Sequence, residues 1–106
     1  MSTVSNRIAT LENLLAQAPT DSRLRYMLAS EFKNAGQLEE AIREFRAILA
    51  ADASYGPAYY HGGQTLEKLN LIDAAKVMYA AGIDATRKSG DAHTRGELEA
   101  ALSILG

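Results

Sequence analysis

The chain has no cysteine and no tryptophan, and only two prolines and two histidines in 106 residues. Without cysteine there can be no disulfide, no thiolate metal site and no cysteine nucleophile, which suits a reducing compartment. A surplus of positive charge is also missing. Lys+Arg total 11 against 13 Asp+Glu, for a formal net charge of −2. Nucleic-acid binders carry a basic face, so no nucleic-acid partner is expected. The apolar runs are too short to span a bilayer, and no membrane association is expected. The opening MSTVSNRIATLENLL has one arginine and no continuous apolar core, so it is not a secretory signal. The cytoplasm is the expected compartment.

Histidine scarcity limits the available chemistry. His61 and His93 lie far apart, each without a second ligand at metal spacing, and both are expected to be surface or groove-edge side chains. Ser30 has no neighbouring base. Gly62-Gly63 falls inside a helical pattern and not between a strand and a helix, so it is no phosphate loop. The chain is expected to have no catalytic residue, no metal site and no cofactor. It is not expected to be an enzyme.

The abundant signal is helical periodicity. Val4, Ile8, Leu11, Leu14, Leu15 and Ala18 make one apolar stripe that Pro19 ends, with Ser2 or Thr3 as its cap. Thr20, Asp21 and Ser22 are competent caps for a second helix over 22–34 that buries Leu24, Leu28, Ala29 and Phe32. Gly36 supplies the turn. A third helix from Gln37-Leu38 carries Leu38, Ala41, Ile42, Phe45, Ile48 and Leu49 inward. Its charged residues Glu39, Glu40, Arg43, Glu44 and Arg46 point outward, and the acidic cluster among them reads as a solvated face. Pro57 suits the first turn of a fourth helix, which runs to about Leu69, and Asn70 then takes the place of Gly36. A fifth helix over 72–87 buries Ile72, Ala75, Tyr79 and Ile83. Asp91 caps a sixth over 92–105, striped by Leu98, Ala101, Leu102 and Leu105. Loops of two to five residues force neighbouring helices antiparallel.

The stretch Leu24–Phe45, LRYMLASEFKNAGQLEEAIREF, returns 34 residues later as AYYHGGQTLEKLNLIDAAKVMY, Ala58–Tyr79. Leu28, Ala29, Phe32, Ala41 and Phe45 in the first copy answer to Gly62, Gly63, Leu66, Ala75 and Tyr79 in the second. Small residues let paired helices approach, and the large ones fill the space between pairs. A 34-residue period in helix pairs with these positions resembles the tetratricopeptide repeat family.

The resemblance implies an all-α, antiparallel helix-hairpin superhelical array of about six helices. It is a single domain over 1–106, divided into an N-terminal half-repeat helix (1–19), repeat 1 (22–55), repeat 2 (56–89) and a C-terminal capping helix (90–106). Arg25 departs from the aromatic or leucine that the family usually has there. Gly62 and Gly82, standing where Leu28 and Ile48 stand one period earlier, read as thin spots in the packing, with Gly62 either a tolerated defect or room made for another side chain or backbone. A 34-residue register would bury His93 and Glu97, so the last helix is expected to dock in its own way.

In this family the first helices of successive repeats line a concave groove that holds extended peptides or partner helices. The residues in that position are Tyr26, Ser30, Lys33 and Asn34, then Tyr60, Gln64, Glu67 and Lys68, with Arg95 beyond them. Tyr26 and Tyr60 offer flat apolar area with a polar tip, and Lys33, Lys68 and Arg95 could hold an acidic group. The subfamily that clamps the C-terminal carboxylate of chaperone tails is not matched. Of Tyr26, Ser30, His61, Asp91 and Arg95, only Arg95 suits an anion. The expected function is protein or extended-peptide binding, with an affinity of roughly micromolar or weaker for so short a groove. The alternative is a structural or self-associating chain, with its first and last helices paired in a homodimer.

Overall fold

Six helices form where the apolar stripes require them, and they stop where the backbone can turn. The computed structural model describes residues 3–106, with side chains from Asn6 onward. The helices are α1 (Thr3–Gln17), α2 (Ser22–Asn34), α3 (Leu38–Ala51), α4 (Gly56–Lys68), α5 (Ile72–Ser89) and α6 (Ala92–Leu105). No strand occurs among the described residues. Ser2 as a cap, and the Val4 side chain in the first stripe, lie outside the described residues.

Of the three candidate caps before α2, Asp21 acts, accepting the Leu24 N–H at 3.1 Å. Asp91 accepts the Thr94 N–H at the same distance and starts α6. The chain leaves α2 through Gly36 at φ +78° and leaves α4 through Asn70 at φ +61°. Both are left-handed conformations, which glycine adopts freely and asparagine tolerates best among the rest.

The antiparallel pairs α2/α3 and α4/α5 stack side by side, with α1 on α2 and α6 on both α4 and α5. Leu28, Ala29, Phe32, Ala41, Phe45, Leu66, Ala75 and Tyr79 are all buried. Complete burial of Phe45 or Tyr79 contributes about 2–3 kcal/mol each. Ala29 and Ala41 are fully covered, so α2 and α3 meet through methyl groups. Between α4 and α5 even a methyl is too large, because a Cβ on Gly63 would stand 2.2 Å from the Tyr79 ring.

The same geometry corrects the reading of Gly82. Gly82 is a close approach and not a thin spot, while Gly62 has its neighbours at ordinary contact distance. A Cβ on Gly82 would meet Tyr59 Cβ at 2.6 Å and Leu98 Cδ1 at 2.9 Å. At Gly62 the space that Leu28 fills one period earlier is occupied by Met78, Phe45 and Ile42, at 3.4, 3.5 and 3.7 Å from a built Cβ. Neighbouring side chains have moved into the room that a leucine would need.

The outward face of α3 also departs from expectation. Glu44 is not solvated: its side chain is only 15% exposed, and it accepts the Arg25 guanidinium at 2.9 Å. Arg25 also donates through Nη2 to the Pro19 carbonyl at 3.2 Å. The departure at Arg25 and the acid 19 residues later are therefore one feature, an ion pair tying the α1–α2 turn to α3.

The last helix keeps the packing of the array with its sequence displaced. Its cap, Asp91, lies 36 residues after Tyr55, the residue before α4. Its inward stripe Thr94, Leu98, Ala101 and Leu105 lies 36 residues after Ala58, Gly62, Thr65 and Leu69. α6 rests on α5 and α4 as α4 rests on α3 and α2. The expectation of an idiosyncratic docking is thus corrected to an ordinary first-helix position reached two residues late. His93 and Glu97 stay exposed, 3.5 Å apart. No helix among the described residues is long and apolar enough to cross a membrane.

Candidate binding groove

α2 and α4 run as neighbours, and the side chains they do not commit to the core share a hollow. Lys33 of α2 reaches across to α4, where its Nζ donates to Gln64 Oε1 at 2.7 Å and lies 3.2 Å from His61 Nδ1. Lys33, Gln64, Glu67 and Lys68 surround a depression of about 300 Å³. Burial holds the Lys33 ammonium below the ordinary lysine range, and the nearby Lys68 charge adds to the effect. Among the described residues no carboxylate pairs with Lys33. Glu67 is already engaged by the Tyr79 hydroxyl, which donates to its Oε2.

An aromatic cluster adjoins the depression, and His61 stands at its centre. The imidazole stacks on Phe45 with ring centroids 6.3 Å apart, and takes Tyr26 at 5.8 Å and Tyr60 at 5.3 Å edge-on. Tyr26 also meets Tyr55 at 5.6 Å. The histidine thus stands between Tyr26 and Tyr60, edge-on to both. His61 is a half-buried side chain at the edge of the depression, as expected, but it sits among aromatic rings and not in solvent. Burial first, and the Lys33 charge second, push it below the ordinary histidine value. A neutral ring accepts from the Lys33 ammonium at Nδ1, which places its own proton on Nε2. Burial likewise raises the Tyr26 phenol, with the neighbouring Tyr55 adding to the shift.

The remaining expected residues are distributed unevenly. Ser30 lines a different hollow, beside Tyr26 on the α1 side. Asn34 ends α2 and is exposed. Arg95 lies outside the Lys33 depression and sits 3.8 Å from Glu99 on α6. The two-residue displacement of α6 accounts for this, since Arg95 takes the place of Tyr59 and not of His61. Sequence reasoning did not assign His61 a central role. The available signal was its position next to Tyr60 and one residue beyond the register of Tyr26.

A family profile described as tetratricopeptide repeat matches residues 2–61, more than half of the chain. A tetratricopeptide repeat domain protein from Salinibacter ruber, solved as a crystal structure, is 32% identical, with a TM-score of 0.76 over 80% of this chain and 94% of that one. Its solution structure, also 32% identical, gives a TM-score of 0.77 over 82% and 88% of the two chains. A protein from Bordetella parapertussis is 27% identical, with a TM-score of 0.80 over 99% of this chain and 88% of that one. No curated protein matches the sequence. The paired helices, the small residues at their crossings and these likenesses agree, and the chain belongs to the tetratricopeptide repeat family.

Proposed function

We propose that this chain is a protein-binding module that takes an extended, acidic peptide segment across α2 and α4. One observation carries the reading. Lys33 is a half-buried cation held by a neutral amide and a neutral imidazole, next to Lys68, with no carboxylate bonded to it among the described residues. A carboxylate from a ligand would relieve both the desolvation of Lys33 and its repulsion by Lys68. Tyr60 and Tyr26 flank the site and offer apolar area for neighbouring ligand side chains. Ser30, Asn34 and Arg95 lie further out and would meet only the ends of a longer ligand. The role is binding and not catalysis, and the cytoplasm is the compartment we assign to it. An array of extended peptides probed with the labelled chain tests the proposal. Peptides with an acidic residue should be retained, and a Lys33→Met, Lys68→Met variant should lose them. Equal retention by both proteins would refute the groove assignment.

A further inference from the structure

Among the described residues, α1 and α6 each form half of a helix pair. α1 holds a second-helix position with no first helix packed on it. Arg7, Leu11 and Leu14 lie 34 residues before Ala41, Phe45 and Ile48, the residues through which α3 packs in the core. With Tyr26 and Met27 of α2 they line a groove of about 580 Å³ that no helix covers among the described residues. Leu14 and Met27 are 43% and 46% exposed. α6 holds a first-helix position, and no second helix packs on its outer side among the described residues. Arg95, Glu99 and Leu102 lie 36 residues after Tyr59, Gly63 and Leu66 of α4. In the interior, Tyr59 lies against Gly82 of α5, and Gly63 lies against Tyr79.

We propose that the open face of α6 in one copy seats on the α1–α2 groove of the next, so that the chain assembles head to tail and each junction completes a helix pair. The interior contacts supply the register. Gly63 against Tyr79, with Ala75 one turn away, becomes Glu99 against Leu11, with Arg7 one turn away. Where the interior pairs small residues, the junction pairs an acid with a base. Among the described residues Arg7 engages Glu31 through Nε alone, leaving both terminal nitrogens to meet a second carboxylate. Among the described residues, Glu99 pairs with Arg95 alone, at 3.8 Å. The same step carries the interior contact of Tyr26 with His61 onto Gly96 and Met27. A Cβ on Gly96 would meet nothing within 4 Å, which leaves space for the exposed methionine. The occupant is therefore a second copy of this chain, because its own α6 bears the charge and the bare backbone that the groove calls for. The contact joins two different surfaces, so it does not close at two copies and mass grows in open steps. It lies beside the Lys33 depression and shares none of that depression's lining, although Tyr26 borders both.

Sedimentation velocity from about 20 μM to about 1 mM tests the proposal over the range expected of a small interface. The weight-average mass of the wild type should at least double across that range. Arg7→Glu and Glu99→Arg, both on exposed side chains, should each stay a single chain, with far-UV circular dichroism confirming the fold. An equimolar mixture of the two variants should regain association, because every mixed junction again pairs an acid with a base. A wild type that remains a single chain at the highest concentration overturns the proposal. So does a mass that saturates at two chains, or a mixture that fails to associate.

Discussion

Gly82 of α5 lies against Tyr59 of α4 so closely that a Cβ there would stand 2.6 Å from the tyrosine Cβ. The contact brings the two helices together and lets the Tyr59 hydroxyl reach over to donate to the Ala53 carbonyl at 2.7 Å. Gly62, one helix away, has a built Cβ no closer than 3.4 Å to its neighbours. The two glycines should therefore respond in opposite directions to the same change. Gly82→Ala should destabilise the fold by about 1–3 kcal/mol through overpacking, although alanine favours a helix by about 1 kcal/mol. Gly62→Ala should stabilise by about 0.5–1 kcal/mol. Gly62→Leu should destabilise, because Met78, Phe45 and Ile42 occupy the space beyond Cβ. Urea denaturation of the three variants would show it, and a neutral Gly82→Ala would contradict the close approach.

The Arg25–Glu44 pair is mostly buried, at 24% and 15% side-chain exposure. Removing one partner leaves the other charge poorly solvated, so Arg25→Leu should cost about 2–3 kcal/mol even though leucine is the residue type the family favours there. Replacing both, as Arg25→Leu with Glu44→Leu, should recover most of the loss. A double-mutant cycle should give a coupling above about 1 kcal/mol. A coupling near zero would reduce the pair to an exposed surface contact.

His61 gives the fold a defined pH dependence. Its folded value lies below the ordinary histidine value of about 6.5. Above that pH the ring is neutral in both states and contributes no slope. As pH falls, the unfolded chain takes the proton first, so stability declines between the ordinary value and the lower folded one. His61→Gln should remove this part of the acid-side decline. Lys33→Met should shift the His61 midpoint upward in an NMR titration, since the Lys33 charge opposes protonation. A midpoint unchanged by Lys33→Met would separate the two side chains electrostatically.

The helix plan was legible in the sequence because its signals are local. Pro19, Gly36 and Asn70 fix the breaks, and Ala29, Phe32, Ala41 and Phe45 find Gly63, Leu66, Ala75 and Tyr79 one 34-residue period later. The groove was legible only in part. Lys33, Gln64, Glu67 and Lys68 fall together because register alone places them. The position of His61 depends on how far Phe45 and Tyr26 lean towards it, which no spacing encodes. Arg25 and Glu44 were read separately, one as a departure and one as solvated, because a 19-residue separation is not helical and their meeting depends on how α2 crosses α3. Gly82 reads in sequence as a thin spot and is a close approach in the fold, for a related reason. A missing side chain looks the same in sequence whether it leaves a hole or admits a neighbour.

α6 enters its place 36 residues after α4 and still packs as α4 does. The added length lies in α5, which is longer than α3 and is followed by a shorter connection, so contact surfaces and not chain length set the distance from one pair to the next. Repeats of this kind are undercounted wherever they are measured along the chain. The 34-residue rhythm fails before the sixth helix, while in space the series runs on to Leu105.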